Sequence, residues 1–166
     1  YGPPYHCHTF DKYVPSAKYL ETNPELFSLR QGKRVGGQHH GQLCLTNEAL
    51  KPVFLDSLGD YIRQGEENAR KQGVPSPRIY DVSQNDNRQY CECEKCMEFV
   101  EKHGHSGLYL TFVNWLAGEI VKTHPRVYIS TLAYHYSEPP PTGGIRAAAN
   151  VVVKLTDTLT NQAASI

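Results

Sequence analysis

The chain has 166 residues, and 17 lysines and arginines balance 17 aspartates and glutamates, so it carries no global field for nucleic acid or an anionic membrane. That length fits one domain with a real core, and no apolar run approaches a membrane span or a signal peptide. The chain opens on Tyr1-Gly2-Pro3-Pro4 without an initiating methionine, which reads as the interior of a longer protein. Residues 1–166 are therefore expected to be a single segment of a larger domain, and the missing targeting segment says nothing about destination.

Tyr5 to Phe10 is predicted as a short strand, on which His6 and His8 would share one face. Residues 11–41 follow as a long loop with the flexible run Val35-Gly36-Gly37-Gln38-His39-His40-Gly41; loops of that length are uncommon unless functional or disordered. Thr46-Asn47 is a good cap pair, and Leu50, Phe54, Leu58, Tyr61 and Ile62 at helical spacing predict a helix over 48–64, fraying beyond Gly65. Arg78 to Ser83 is the next strand. A short helix over 94–101 is broken at Gly104 to Ser106, and the strongest helix runs over 107–123. Val127 to Ala133 and Asn150 to Leu155 complete the strands.

This order is an α/β pattern with parallel strands and outer helices. About half of a (β/α)8 TIM-like barrel and an open doubly wound sheet both satisfy it. The absence of a glycine-rich phosphate loop favours the barrel. Val151-Val152-Val153 fits a strand buried on both faces. Residues 134–149 hold no convincing helix, so that crossover is expected to be an irregular loop.

In a parallel α/β sheet, ligands bind at the carboxyl ends of the strands. Those ends supply His8 and Thr9, Ser83 to Asp86, Tyr134 to Tyr136, and Thr156 with Asp157. Carboxylates, amides, an imidazole and aromatic platforms suit a polar, hydroxyl-rich ligand such as a sugar. Basic residues are sparse there apart from Arg88. Asn85-Asp86 taken alone equally suits a turn, because Asn and Asp side chains bond nearby backbone.

Five residues beyond Asp86 begins Cys91-Glu92-Cys93-Glu94-Lys95-Cys96, three of the five cysteines. A structural zinc site with Cys44 as fourth ligand, disulfides with Cys7 left over, and free buried thiols all fit. No cysteine–histidine pairing marks a catalytic cysteine.

Seven stretches occur in a familiar order: His8-Thr9-Phe10, Asn23-Pro24-Glu25-Leu26-Phe27, Gln42 to Asn47, Val82 to Asp86, Cys91 to Cys96, Thr131-Leu132-Ala133-Tyr134 and Asn150 to Val153. They resemble the bacterial domain-of-unknown-function family 4838, found in large, mostly secreted carbohydrate-active proteins. Part of that family is classed as glycoside hydrolase family 163, endo-β-N-acetylglucosaminidases acting on N-glycans. The resemblance implies a TIM-barrel catalytic domain, of which this chain is about half, and a secreted, periplasmic or cell-surface parent protein. It also implies a glycan or glycoprotein substrate and hydrolysis of glycosidic bonds, with no catalytic cofactor.

On that reading Asp86 is the first candidate for a catalytic carboxyl and Asp157 the leading partner. Asn85 and His8 would bind substrate, and Tyr134 or Tyr136 would form the sugar platform. The rival readings are a non-catalytic glycan-binding module and a zinc- or disulfide-stabilised structural domain.

Overall fold

A computed structural model describes residues 1–156. Its centre is a three-stranded parallel sheet, β3 (Ile79–Asp81), β4 (Tyr128–Ala133) and β5 (Val151–Leu155), in that spatial order. The expected strands at 78–83, 127–133 and 150–155 are thus present and parallel, in an α/β arrangement. Tyr80, Ile129 and Val151 lie in register and form one buried row. Because side chains alternate along a strand, the neighbouring row of Asp81 and Ser130, with Lys154 further along β5, points to the other face.

Two helices pack against the apolar row. In α3 (Leu50–Gln72) Leu50, Phe54, Leu58 and Ile62 form a fully buried stripe. The helix runs well past Gln64, and Gly65 is a contact point rather than a fraying one. A Cβ there would lie 2.4 Å from the Tyr80 hydroxyl and 3.2 Å from Pro3 Cδ. In α4 (Glu94–Thr123) Phe112, Val113, Leu116 and Ile120 face the core. Gly104 (φ 74°, ψ 167°) is non-helical within it, so two helical arms meet at a kink where the sequence breaks. No helix among the described residues is long and apolar enough to cross a membrane.

Three expectations are corrected. Residues 5–10 are not a strand. Gly2 N–H bonds Ile79 O at 2.8 Å and Thr9 N–H bonds Ser83 O at 3.0 Å, so the segment lies beside β3, but left-handed backbone at His8 (φ 52°) turns it. His6 and His8 therefore do not share a strand face. Residues 11–41 are not a structureless loop. They contain most of α1 (Phe10–Tyr13), α2 (Ser16–Tyr19), a 3-10 turn at Pro24–Leu26, and an antiparallel hairpin of β1 (Ser28–Arg30) with β2 (Lys33–Val35). Gln31 and Gly32, at φ 48° and 77°, make its tight turn.

Finally, β5 is not buried on both faces: Val152 and Val153 are 40% and 45% exposed, because β5 is an edge of the described sheet. That sheet is open, with three strands and no closure among the described residues. The β4–β5 crossover is irregular, with only a 3-10 turn at His135–Ser137.

Candidate functional site

The carboxyl ends of β3 and β4 and the turn at His8 meet at one place. Ser83 organises the first approach: its Oγ accepts the His8 N–H at 2.8 Å, and its carbonyl accepts the N–H groups of Thr9 and Phe10. The His8 ring then lies with Nδ1 2.9 Å from Gln84 O. A carbonyl only accepts, so Nδ1 carries a proton in this bond, and Nε2 is the ring nitrogen not committed to it. Gln84 also fixes the second approach, donating from Nε2 to Tyr134 O at 3.0 Å and accepting Ser137 Oγ at 2.6 Å. The Tyr134 ring consequently stands edge-on to His8, with centroids 5.2 Å apart.

Tyr134 donates its hydroxyl to Asp86 Oδ1 at 2.8 Å, and Asp86 is exposed. Burial, followed by this bond to a carboxylate, raises the Tyr134 pKa above its ordinary value. Arg88 stands close by, with a guanidinium nitrogen 3.2 Å from His135 Nδ1. His8, Asp86 and Tyr134 are thus brought together from three separate segments.

Two other sequence candidates are placed differently. Asn85 is buried, and its amide is spent on the chain itself. Oδ1 accepts Asp11 N–H at 2.9 Å, while Nδ2 donates to Gly41 O at 2.9 Å and Gly37 O at 3.4 Å. Tyr136 turns away from Asp86. Its hydroxyl meets that of Tyr109 at 2.7 Å, and its ring packs among Tyr90, His105 and Tyr109. Asp157 lies outside the described residues.

Beneath Ser83 is a carboxylate that the sequence reading missed. Asp81 has no exposed surface. Its Oδ2 accepts Lys154 Nζ at 2.6 Å and Ser130 Oγ at 3.0 Å; its Oδ1 accepts Thr9 Oγ1 at 3.3 Å and Ser83 Oγ. Lys154 Nζ also donates to His6 O at 2.5 Å. The available signal was a charge inside each of two β-favouring runs, Ile79-Tyr80-Asp81-Val82 and Val151-Val152-Val153-Lys154-Leu155.

The second cluster is the cysteines. The Sγ atoms of Cys44, Cys91, Cys93 and Cys96 all lie within 4.8 Å of one another, with Cys44 3.6 Å from Cys93 and 3.9 Å from Cys96. These separations are far beyond a disulfide bond of ~2.05 Å. None of the five cysteines is disulfide-bonded, so the disulfide reading is overturned.

A tetrahedral thiolate site with metal–sulfur bonds of ~2.3 Å has edges of about 3.8 Å, close to those two separations. Supporting donors are in place: Leu29 N–H reaches Cys91 Sγ at 3.3 Å, and Thr46 Oγ1 lies 3.1 Å from Cys96 Sγ. Cys93 immediately precedes α4 and Cys96 sits in its first turn, where the helix dipole favours thiolate. Hydrogen bonds from Cys91 and Cys96 lower the Cys44 pKa; the bond to Cys44 raises Cys91 to about 12 and Cys96 as well. Four thiolates together need a cation, and this donor set can hold a metal.

The family model described as a domain of unknown function (DUF4838) matches residues 1–166. No curated protein and no solved structure matches the chain.

Proposed function

We propose, from the premise that the chain belongs to the DUF4838 family, that it is part of a glycoside hydrolase acting on N-acetylglucosamine-containing glycans. The observation that carries the reading is the meeting of Asp86, Tyr134 and His8 at the carboxyl ends of parallel strands, with Asp86 open to solvent. In this reading the described sheet is part of a (β/α)8 barrel whose remaining strands extend from β5. The parent protein is secreted or held at the cell surface.

Glycoside hydrolysis needs a pair of carboxyl groups, or one that orients the substrate acetamido group and a second that acts as acid. Asp86 supplies one of these groups. Tyr134, as donor to Asp86, fixes the orientation of the carboxylate. His8 Nε2 meets a sugar hydroxyl, and the half-buried Tyr134 ring packs against the sugar. Asn85 is the support under the Asp86 turn. The cysteine cluster is read as a structural zinc site, because four thiolates closed on one ion leave no position for substrate.

The test is Asp86→Asn in the full chain, assayed on a chromogenic N-acetylglucosaminide and on a glycopeptide. Turnover should fall by about 10²-fold or more, as for loss of an acid, base or orienting carboxylate. Near-normal turnover would return Asp86 to a turn-forming role. Glycan binding without any turnover in the parent chain would select the binding-module reading.

A further inference from the structure

We infer that the four-cysteine site is a clasp for the Asp86 loop: a bound thiophilic divalent cation fixes the far end of residues 85–93 and so sets where Asp86 stands. The inference rests on the reading of this cluster as a zinc site, and it assigns that site a regional task.

The argument begins with which segments the ligands join. Cys91 and Cys93 lie on the loop that leaves β3, Cys96 lies in the first turn of α4, and Cys44 lies on the segment leading into α3. Cys44 is the ligand that ties the loop to something outside its own neighbourhood. Its segment is rigid: Ser28 N–H bonds Gln42 O at 2.9 Å, Cys44 N–H bonds Leu26 O at 2.9 Å, and Leu43 is bridged to Phe27.

Two residues before Cys44 the same segment grips the near end of the loop. Gln42 Oε1 accepts Asn85 N–H at 2.9 Å, and Gln42 Nε2 donates to Asn85 O at 2.9 Å and Asn87 O at 3.0 Å. One short, fully buried stretch, Gln42-Leu43-Cys44, therefore holds the Asp86 loop at both ends, by an amide at one and a thiolate at the other.

Between these anchors Asn87 Nδ2 donates to Gln38 O and Gly41 O, and Tyr90 packs against His105, Tyr136 and the Arg30 guanidinium. Arg88 and Gln89 are exposed. Cys91 and Glu92 touch the β1 hairpin through Leu29 N–H to Sγ, Glu92 N–H to Leu29 O at 2.8 Å, and an Arg30–Glu92 ion pair at 2.7 Å that is partly exposed. A partly exposed ion pair contributes little. Metal–thiolate bonds to Cys44 and Cys96 are by far the strongest links this end can have.

The test is metal content and hydrogen–deuterium exchange on the full chain, readouts that do not require glycosidase activity. The chain as purified should carry one zinc, and cobalt substitution should give the thiolate charge-transfer and intense d–d bands of a tetrahedral sulfur site. Removing the ion with a chelator, or replacing Cys44 by Ser, should speed exchange across 84–93 by about tenfold or more while α3 peptides across 54–69 keep their protection. Zinc added back to the chelated wild-type chain should restore it.

A chain that neither carries zinc nor takes it up from a zinc titration would overturn the metal reading and the clasp with it. Stoichiometric zinc whose removal leaves 84–93 unchanged would overturn the clasp alone. Equal loss of protection in 84–93 and 54–69 would also overturn it, showing an ion that holds the whole fold rather than this loop.

Discussion

Replacing Lys154 by Met tests the buried charge under the site. Asp81 has no exposed surface, and Lys154 Nζ at 2.6 Å is its only cationic partner among the described residues. Breaking a buried ion pair from one side costs about 3–5 kcal/mol, because the remaining charge is left uncompensated. Three hydroxyls, from Thr9, Ser83 and Ser130, continue to donate to the carboxylate, which places the cost near the lower end, about 3 kcal/mol.

For a chain of this size that corresponds to a fall in Tm of about 6–12 °C. Asp81→Asn should cost less, because the Lys154 side chain is 25% exposed and its ammonium can turn to water. The double variant should be less destabilised than the sum of the two, by about 2 kcal/mol. The assay is denaturant unfolding followed by Trp115 fluorescence, with the slope on denaturant compared between variants. Lys154→Met within about 1 kcal/mol of the parent would refute the reasoning, since hydroxyls alone would then suffice to hold the charge.

Gly65→Ala gains about 1 kcal/mol of helix propensity but places a methyl 2.4 Å from the Tyr80 hydroxyl, so thermal unfolding should show net destabilisation; Tyr80→Phe in the same chain should recover much of it. Burial among Tyr90 and Tyr136 holds the His105 pKa below its ordinary value, so protonation favours the unfolded chain. The His105 contribution is therefore intact above about pH 6.5 and is lost as pH falls below it, and His105→Phe should flatten a stability–pH profile in that range. Gln42→Leu should destabilise by about 2 kcal/mol in denaturant unfolding, since it leaves the buried Asn85 N–H without a partner and removes one donor each from Asn85 O and Asn87 O.

The parallel pairing of β3 with β4 was legible because a long helical pattern separates them and demands a crossover, whereas β4 and β5 are parallel across an irregular link. Region 11–41 was not legible, because its elements are three or four residues long and are held from afar. The bonds Cys44 N–H to Leu26 O and Ser28 N–H to Gln42 O have no local sequence signature. Three of the four clustered cysteines were legible from spacing, and Cys44 from its position just before a helix. Asn85 was ambiguous in principle: the same amide serves a turn, a ligand or a buried hub, and the residue that decides is Gln42, on another segment.

Asp81 and Asp86 carry the same argument to the site. They sit on one strand-to-loop transition and look alike in sequence. The chemistry open to each is set by which lone pairs are already committed. Asp81 has both carboxylate oxygens engaged, by an ammonium and three hydroxyls, and has no exposed surface, so it offers nothing to a ligand. Asp86 has one oxygen bonded to Tyr134, whose ring stands edge-on to His8, and is itself exposed. Asp81, through Ser83, holds the backbone that presents His8, and Asn85 holds the backbone that presents Asp86. The buried polar residues of this loop are thus the means by which the exposed Asp86 carboxylate acquires a fixed position, which is what a catalytic or recognition carboxylate requires.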